Sequence, residues 1–196
     1  MPKTALRITL LLALALPLVV GGCRISKSGN GEEKHVDIGV PGANIHVDKG
    51  ATVADAGIPV YPGAMADASN GGSAKKHVGL DLPTMKMEII KLNYSSKDAP
   101  EQVLMYYRDK LAMYGKVLEC RGEGDIEIGM NSSDWKTHDF NDPVFCATTV
   151  KAPGTTNLKV GRQGDAHIVK VRASGSGTQF SLISIREADD HKKTSS

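Results

Sequence analysis

The chain has 196 residues, with 24 Lys and Arg against 22 Asp and Glu, for a formal charge of +2. Both surplus cations, Lys3 and Arg7, lie in the first 22 residues, which hold no acid, so the chain from Cys23 onward is formally neutral. A neutral chain lacks the concentrated basic surface that nucleic-acid binding needs. Twenty-one glycines and few aromatics suit short strands and turns better than a helical bundle.

Residues 1–22 have the three parts of a secretory leader: the cations Lys3 and Arg7, an apolar run from Ile8 to Val20, and the small pair Gly21-Gly22. The run is too short for a membrane span, which takes about 20 apolar residues. Val20-Gly21-Gly22-Cys23 resembles the lipobox of bacterial lipoproteins, with Gly21 where Ala, Ser or Thr is commoner. The resemblance implies that the leader is removed, that Cys23 becomes the first residue, and that its thiol carries the lipid anchor. Cys directly after the cut separates this from an ordinary secreted protein. By resemblance to the sorting rule of diderm bacteria, Arg24 in place of Asp implies the outer membrane, facing the periplasm or the exterior. The implied partner is thus a membrane, reached through Cys23, with an envelope protein or polymer as a further expectation.

Residues 23–34 are Ser, Gly, Asn, Lys and Glu without apolar period and read as a flexible tether. Residues 35–50 change character. Val36, Ile38 and Val40 alternate, Pro41-Gly42-Ala43-Asn44 turns, and Ile45 and Val47 alternate again, which predicts a β-hairpin with one apolar face. Pro-Gly suits a type II turn inside a loop longer than two residues, because a bare type II turn splays its strands. A lone hairpin is marginal in water. This one therefore docks on the main domain, pairs with another chain, or stays partly ordered. Ile38, Val40 and Ile45 are candidate contact residues.

The main domain is expected over 51–187. Residues 51–56 read as a helical turn or a linker. After them comes Gly57-Ile58-Pro59-Val60-Tyr61-Pro62-Gly63-Ala64, then Leu92-Asn93-Tyr94, a helix from Val103 to Leu111, Leu118-Glu119-Cys120, and Gly177-Thr178-Gln179-Phe180-Ser181-Leu182. In that order these segments resemble small exported bacterial domains, of the kind found in acidobacteria, for which no reaction is known. The resemblance covers nearly all of the mature chain and implies fold and lineage only.

Strands are predicted at 76–82 and 86–94 around Pro83-Thr84. Met85 and Met87 there make either an adaptable contact surface or core filling. The helix carries the clearest signal: Asp98 as N-cap, Pro100 in the first turn, Glu101 at the capping-box position, Gly115 after the end, and one apolar stripe of Val103, Leu104, Tyr107, Leu111 and Tyr114. Tyr107 reads as core and Tyr106 as partly exposed, a candidate groove residue. Further strands are expected at 116–121, 142–151, 157–160, 166–172 and 178–187, and residues 188–196 as a disordered tail. The expected fold is α+β: an antiparallel sheet with one amphipathic helix on one face, preceded by the hairpin.

With Cys23 acylated, Cys120 and Cys146 remain, and two cysteines in an oxidising compartment read as a disulfide. No cofactor or metal site is expected. The six histidines do not pair at ligand spacing, and His138, Asp139, Asn141 and Asp142 read as a solvated loop without EF-hand spacing. The Gly-rich runs at 122–124 and 175–177 lack a phosphate-binding lysine and read as turns. No catalytic residues are assigned. Two functions stay open: a non-enzymatic envelope module that binds a protein, polymer or lipid, and a hydrolase with a dispersed site.

Overall fold

The computed structural model describes residues 24–29, 35–48, 50–69, 74–83, 85–124, 141–147 and 151–188. The leader and Cys23, residues 30–34, residues 70–73, the segment holding Ile126, Ile128, Trp135, His138 and Asp139, and residues 189–196 lie outside the described residues.

The strands are β1 (Arg24–Ser28), β2 (His35–Val40), β3 (Ala43–Asp48), β4 (Met65–Ala66), β5 (Lys75–Leu82), β6 (Met85–Ser96), β7 (Leu118–Arg121), β8 (Thr155–Arg162), β9 (Asp165–Ser174) and β10 (Gly177–Glu187). They form a single antiparallel sheet in the order β1-β2-β3-β5-β6-β10-β9-β8-β7. β4 pairs with Tyr94 and Ser95 of β6, just beyond the point where β5 ends at Leu92. Two α-helices are present among the described residues, α1 (Val53–Ala56) and α2 (Pro100–Leu111), the second continuing into a 3-10 turn, Ala112–Tyr114.

The centre of the sheet is apolar on both faces. Alternation along β6, β8, β9 and β10 puts Ile90, Leu92, Tyr94, Leu158, Val160, Val169, Val171, Phe180 and Leu182 on one face, where Val103, Leu104, Tyr107 and Leu111 of α2 and Ile58 cover them. Phe180 lies among Tyr61, Tyr94 and Tyr107. Tyr107 is fully buried, and its hydroxyl accepts the Tyr61 amide at 3.0 Å, which anchors the Pro62-Gly63 turn to the helix. The other face gathers Leu80, Met87, Ala166, Ile168, Ile183 and Ile185, with Val144 packed against them. At the β8–β9 corner Gly161 has φ +103°, and a Cβ there would come within 2.3 Å of the Asp165 carbonyl, so only glycine fits.

The α+β expectation is overturned. The described residues are sheet-dominated, with ten strands and a single helix of substantial length among them. Periodicity showed too few and too short strands. β6 runs 12 residues, β10 runs 11 and β9 runs 10, because cross-strand pairing holds polar ends such as Ser95-Ser96 in the ladder. The hairpin adds to the same sheet edge-on, with β3 paired to β5 from Asn44↔Asp81 to Asp48↔His77.

Residues 24–28, expected as tether, form β1, paired with β2 from Arg24↔Gly39 to Ser28↔His35. An exposed strand edge offers unpaired N–H and C=O groups to any extended neighbour whatever its side-chain pattern. The hairpin loop is two residues, Pro41-Gly42, since Val40 pairs directly with Ala43; Gly42 takes φ +86° to close it.

Asp98 is not the helix cap. Its carboxylate accepts the Tyr61 hydroxyl at 2.7 Å, and Ala99 holds the N-cap position with no side-chain bond. Of the strand expected at 142–151, the described part makes only a bridge, Pro143↔Arg162, in line with β7 along the β8 edge.

Candidate functional site

Directly paired residues in neighbouring strands share a face. On the face away from α2, register therefore lines up Ile25, Ile38, Ile45, Leu80 and Met87 across β1, β2, β3, β5 and β6, and beside that row Lys27, Val36, Val47, Val78 and Ile89. The candidates Ile38, Val40 and Ile45 fall together on this face, and Ile38 pairs directly with Ile45. Met85 and Met87 lie on it too, opposite Leu82 and Leu80. Met87 is 2 % exposed and belongs to the core, whereas Met85 is half-buried.

Exposure is greater toward the β1 edge. Leu80 is 7 % exposed, Ile45, Ile38, Val36, Val40 and Val47 are half-buried, and Ile25 is 63 % exposed. The ribbon β1-β2-β3 thus carries the apolar pattern of the core outward to where little covers it.

Tyr106 is separate from this surface. It lies on α2, on the other side of the sheet, edge-on to Tyr61 and Tyr107, with the Lys110 ammonium 5.5 Å over its ring.

The opposite face of the ribbon is polar. Asp37 pairs across the strands with His46, and the two side chains are hydrogen-bonded, while His46 Nε2 lies 3.5 Å from Asp81. Gly79 stands opposite His46 without a side chain, which leaves the ring room between the two carboxylates. The hydrogen bond that His46 donates to the Asp37 carboxylate, opposed by desolvation, raises the His46 pKa above its usual value. His77 contacts Asp48 at 3.1 Å in the next row. The His46–Asp37 pair sits on an open strand surface, whereas His77 and Asp48 are part-buried and His77 Nε2 is buried without a hydrogen-bond partner. Two clefts of about 350 Å³ each lie elsewhere: one between α2 and β7, holding Arg108, Glu119 and Arg121, and one lined by Asp67, Ser95, Ser176 and Gln179. No histidine lines either cleft. In the first, both oxygens of Glu119 are taken up by the two arginines, at 2.6 and 3.0 Å.

Cys120 and Cys146 are joined in a disulfide with their Cα atoms 5.3 Å apart. Beside it Glu123 is buried at 4 % exposure. Burial pushes its carboxyl pKa up, but Lys159 Nζ at 2.6 Å, Asn157 Nδ2 at 2.9 Å and the Ala147 amide together hold it below the usual range. Lys159 also donates to the Phe145 carbonyl at 3.0 Å, so one ion pair ties β8 to the segment that carries Cys146. Cys120, Cys146 and Glu123 lie close enough to resemble a metal site, but the sulfurs are spent on each other and the carboxylate on Lys159.

Sequence reasoning singled out Ile38, Val40 and Ile45 as candidates and did not single out Ile25, Lys27 or the His–Asp pairs. Ile25 is one apolar residue in Arg-Ile-Ser-Lys-Ser, which has no readable period, and Asp37 meets His46 only once the hairpin register is known. No protein-family model, curated protein or solved structure matches the chain. Among the described residues no helix is long and apolar enough to cross a membrane.

Proposed function

We propose that the chain is a lipid-anchored lipoprotein of a bacterial cell envelope, held through Cys23 in the outer membrane, and that it works as a non-enzymatic binding or structural module through the apolar face of β1-β2-β3. The observation that carries this reading is the exposure gradient, from Leu80 at 7 % to Ile25 at 63 %. Exposure at a sheet edge is ordinary, but here the apolar alternation of the core continues unbroken into the exposed strands, and a contiguous exposed apolar face marks a contact site. The strand at the open end begins at residue 24, next to the proposed anchor.

A hydrolase with a dispersed site has the pairs His46–Asp37 and His77–Asp48 in its favour. The first is exposed and the second only part-buried, and neither lines a cleft, where a general base gains its leverage.

The test is fatty-acid labelling and membrane fractionation of the full chain and of Cys23→Ala. The expected result is acyl label and membrane recovery for the first and loss of both for the second. Unchanged labelling of Cys23→Ala overturns the anchor. Turnover in a broad hydrolase screen, abolished by His46→Gln, overturns the non-enzymatic part.

A further inference from the structure

We propose that the apolar face of the β1-β2-β3-β5 ribbon lies on an anionic lipid surface, making a second, non-covalent membrane contact beside the anchor. This deepens the reading of the chain as an anchored envelope protein, which is what brings a bilayer within reach.

Three observations carry it. First, the two faces of the ribbon differ in charge. On the apolar face of these four strands the only charged residues are Lys27 and Lys76, and there is no carboxylate. All three carboxylates of these strands, Asp37, Asp48 and Asp81, lie on the other face, alongside His46, His77, Arg24 and Lys75. An apolar surface that carries lysines and, on these four strands, no carboxylate fits the boundary between acyl chains and anionic headgroups. Second, exposure is greatest at Ile25, on the outermost strand, and Lys27 and Lys76 are both exposed. Third, β1 starts at Arg24, so the residue proposed to carry the lipid is one extended step, about 3.5 Å, from the ribbon edge. With acyl chains inserted there, the edge strand is held at headgroup depth.

The same charges argue against a second copy as the occupant. Two such faces brought together would set the lysines of one against those of the other, with no carboxylate on either to answer them.

The experiment uses the mature chain, residues 23–196, carrying Cys23→Ala so that no acyl chain contributes. Both core clusters are built from residues 45–185, so this chain keeps the fold. Co-sedimentation is measured with vesicles of phosphatidylcholine alone and with vesicles containing phosphatidylglycerol. The expected result is at least about tenfold stronger binding to the anionic vesicles, weakened by high salt as the surface potential is screened. Lys76→Glu lowers it by more than the roughly fivefold that one surface cation contributes, and Ile25→Asp lowers it by about tenfold. Ser26→Asp, on the other face of the same edge strand, changes it less, by no more than about the fivefold of one charge. Lys76→Glu on β5 keeps the test valid should Ile25→Asp loosen β1.

Equal binding to both vesicle types, no binding to either, or equal losses from Ser26→Asp and Lys76→Glu overturns the proposal. So does self-association abolished by Ile25→Asp, which assigns the face to a second copy. Because the assay uses unacylated protein, its failure is distinct from failure of the Cys23 labelling test.

Discussion

Breaking the Cys120–Cys146 bond should weaken the fold by an amount set mainly by the unfolded chain. The two residues are 26 apart in sequence. On the loop-entropy relation a closed loop of that size restricts the unfolded ensemble by roughly 3.5 kcal/mol at 25 °C. Little native packing is lost at Cys146, which is exposed, although Cys120 is buried. The segment carrying Cys146 also keeps its other ties in the folded state: Val144 N to the Gly161 carbonyl, Lys159 to the Phe145 carbonyl, and the Ala147 amide to Glu123. The double variant Cys120→Ala/Cys146→Ala, in a Cys23→Ala background, should therefore fold to the same sheet. It should melt lower by about 7–14 °C, at about 2–4 °C per kcal/mol for a domain of this size. Urea denaturation followed by far-UV circular dichroism gives the free energy, and the slope should rise because the released chain exposes more surface on unfolding. Alkylation of the parent before and after reduction should count no thiols and then two. A loss below about 1 kcal/mol with an unchanged slope would refute the loop-entropy reasoning. Two thiols alkylated without reduction would refute the bond itself.

Three further outcomes follow from the geometry. Leu182→Ala, at a fully buried site under α2, should cost about 2–5 kcal/mol by calorimetry, and a smaller loss would mean that the helix settles into the gap. Glu123→Gln should cost about 3 kcal/mol, because the Lys159 ammonium is left nearly buried without a counter-charge, and Lys159→Met in the same chain should recover part of it. The His46 pKa is raised in the folded protein, so its contribution to stability is fully present below about pH 6.5 and fades as the pH rises through the folded value. His46→Gln should flatten that dependence, and an NMR titration of the ring with a midpoint at or below the ordinary histidine value would contradict the contact with Asp37.

The sequence made local periods legible and long-range pairings illegible. Val103, Leu104, Tyr107 and Leu111 at helical spacing are the buried stripe of α2, and alternation in Thr178–Ile185 follows β10. Asp98 looked like a cap because nothing local reveals that Tyr61, 37 residues earlier, claims its carboxylate. Asp142–Lys151 carries strand-forming residues, yet its described part makes a single bridge and is held instead by the disulfide and Glu123, both non-local. For the candidate surface, alternation gave the apolar side of β2 and β3. That this side continues into Leu80 and Met87 depends on β3 finding the edge of β5 in one register. The charge asymmetry of the ribbon was hidden for the same reason, since Lys27 and Lys76 become neighbours of one face only through three pairings.

The position of β1 also has a mechanical consequence. It is an edge strand held by one neighbour, and its first residue, Arg24, is its upstream end. A pull applied upstream of Arg24 and across the sheet loads the Arg24↔Gly39 pair first, then Ile25↔Ile38, one rung at a time, whereas a pull along the strand axis would load all five rungs together. Peeled in the first way, β1 pays out about 17 Å of chain at roughly 3.4 Å per residue before β2 feels the load. A sudden tug would thus be taken up as slack by five residues that contribute nothing to either core cluster, and the strand is free to zip back when the tension falls.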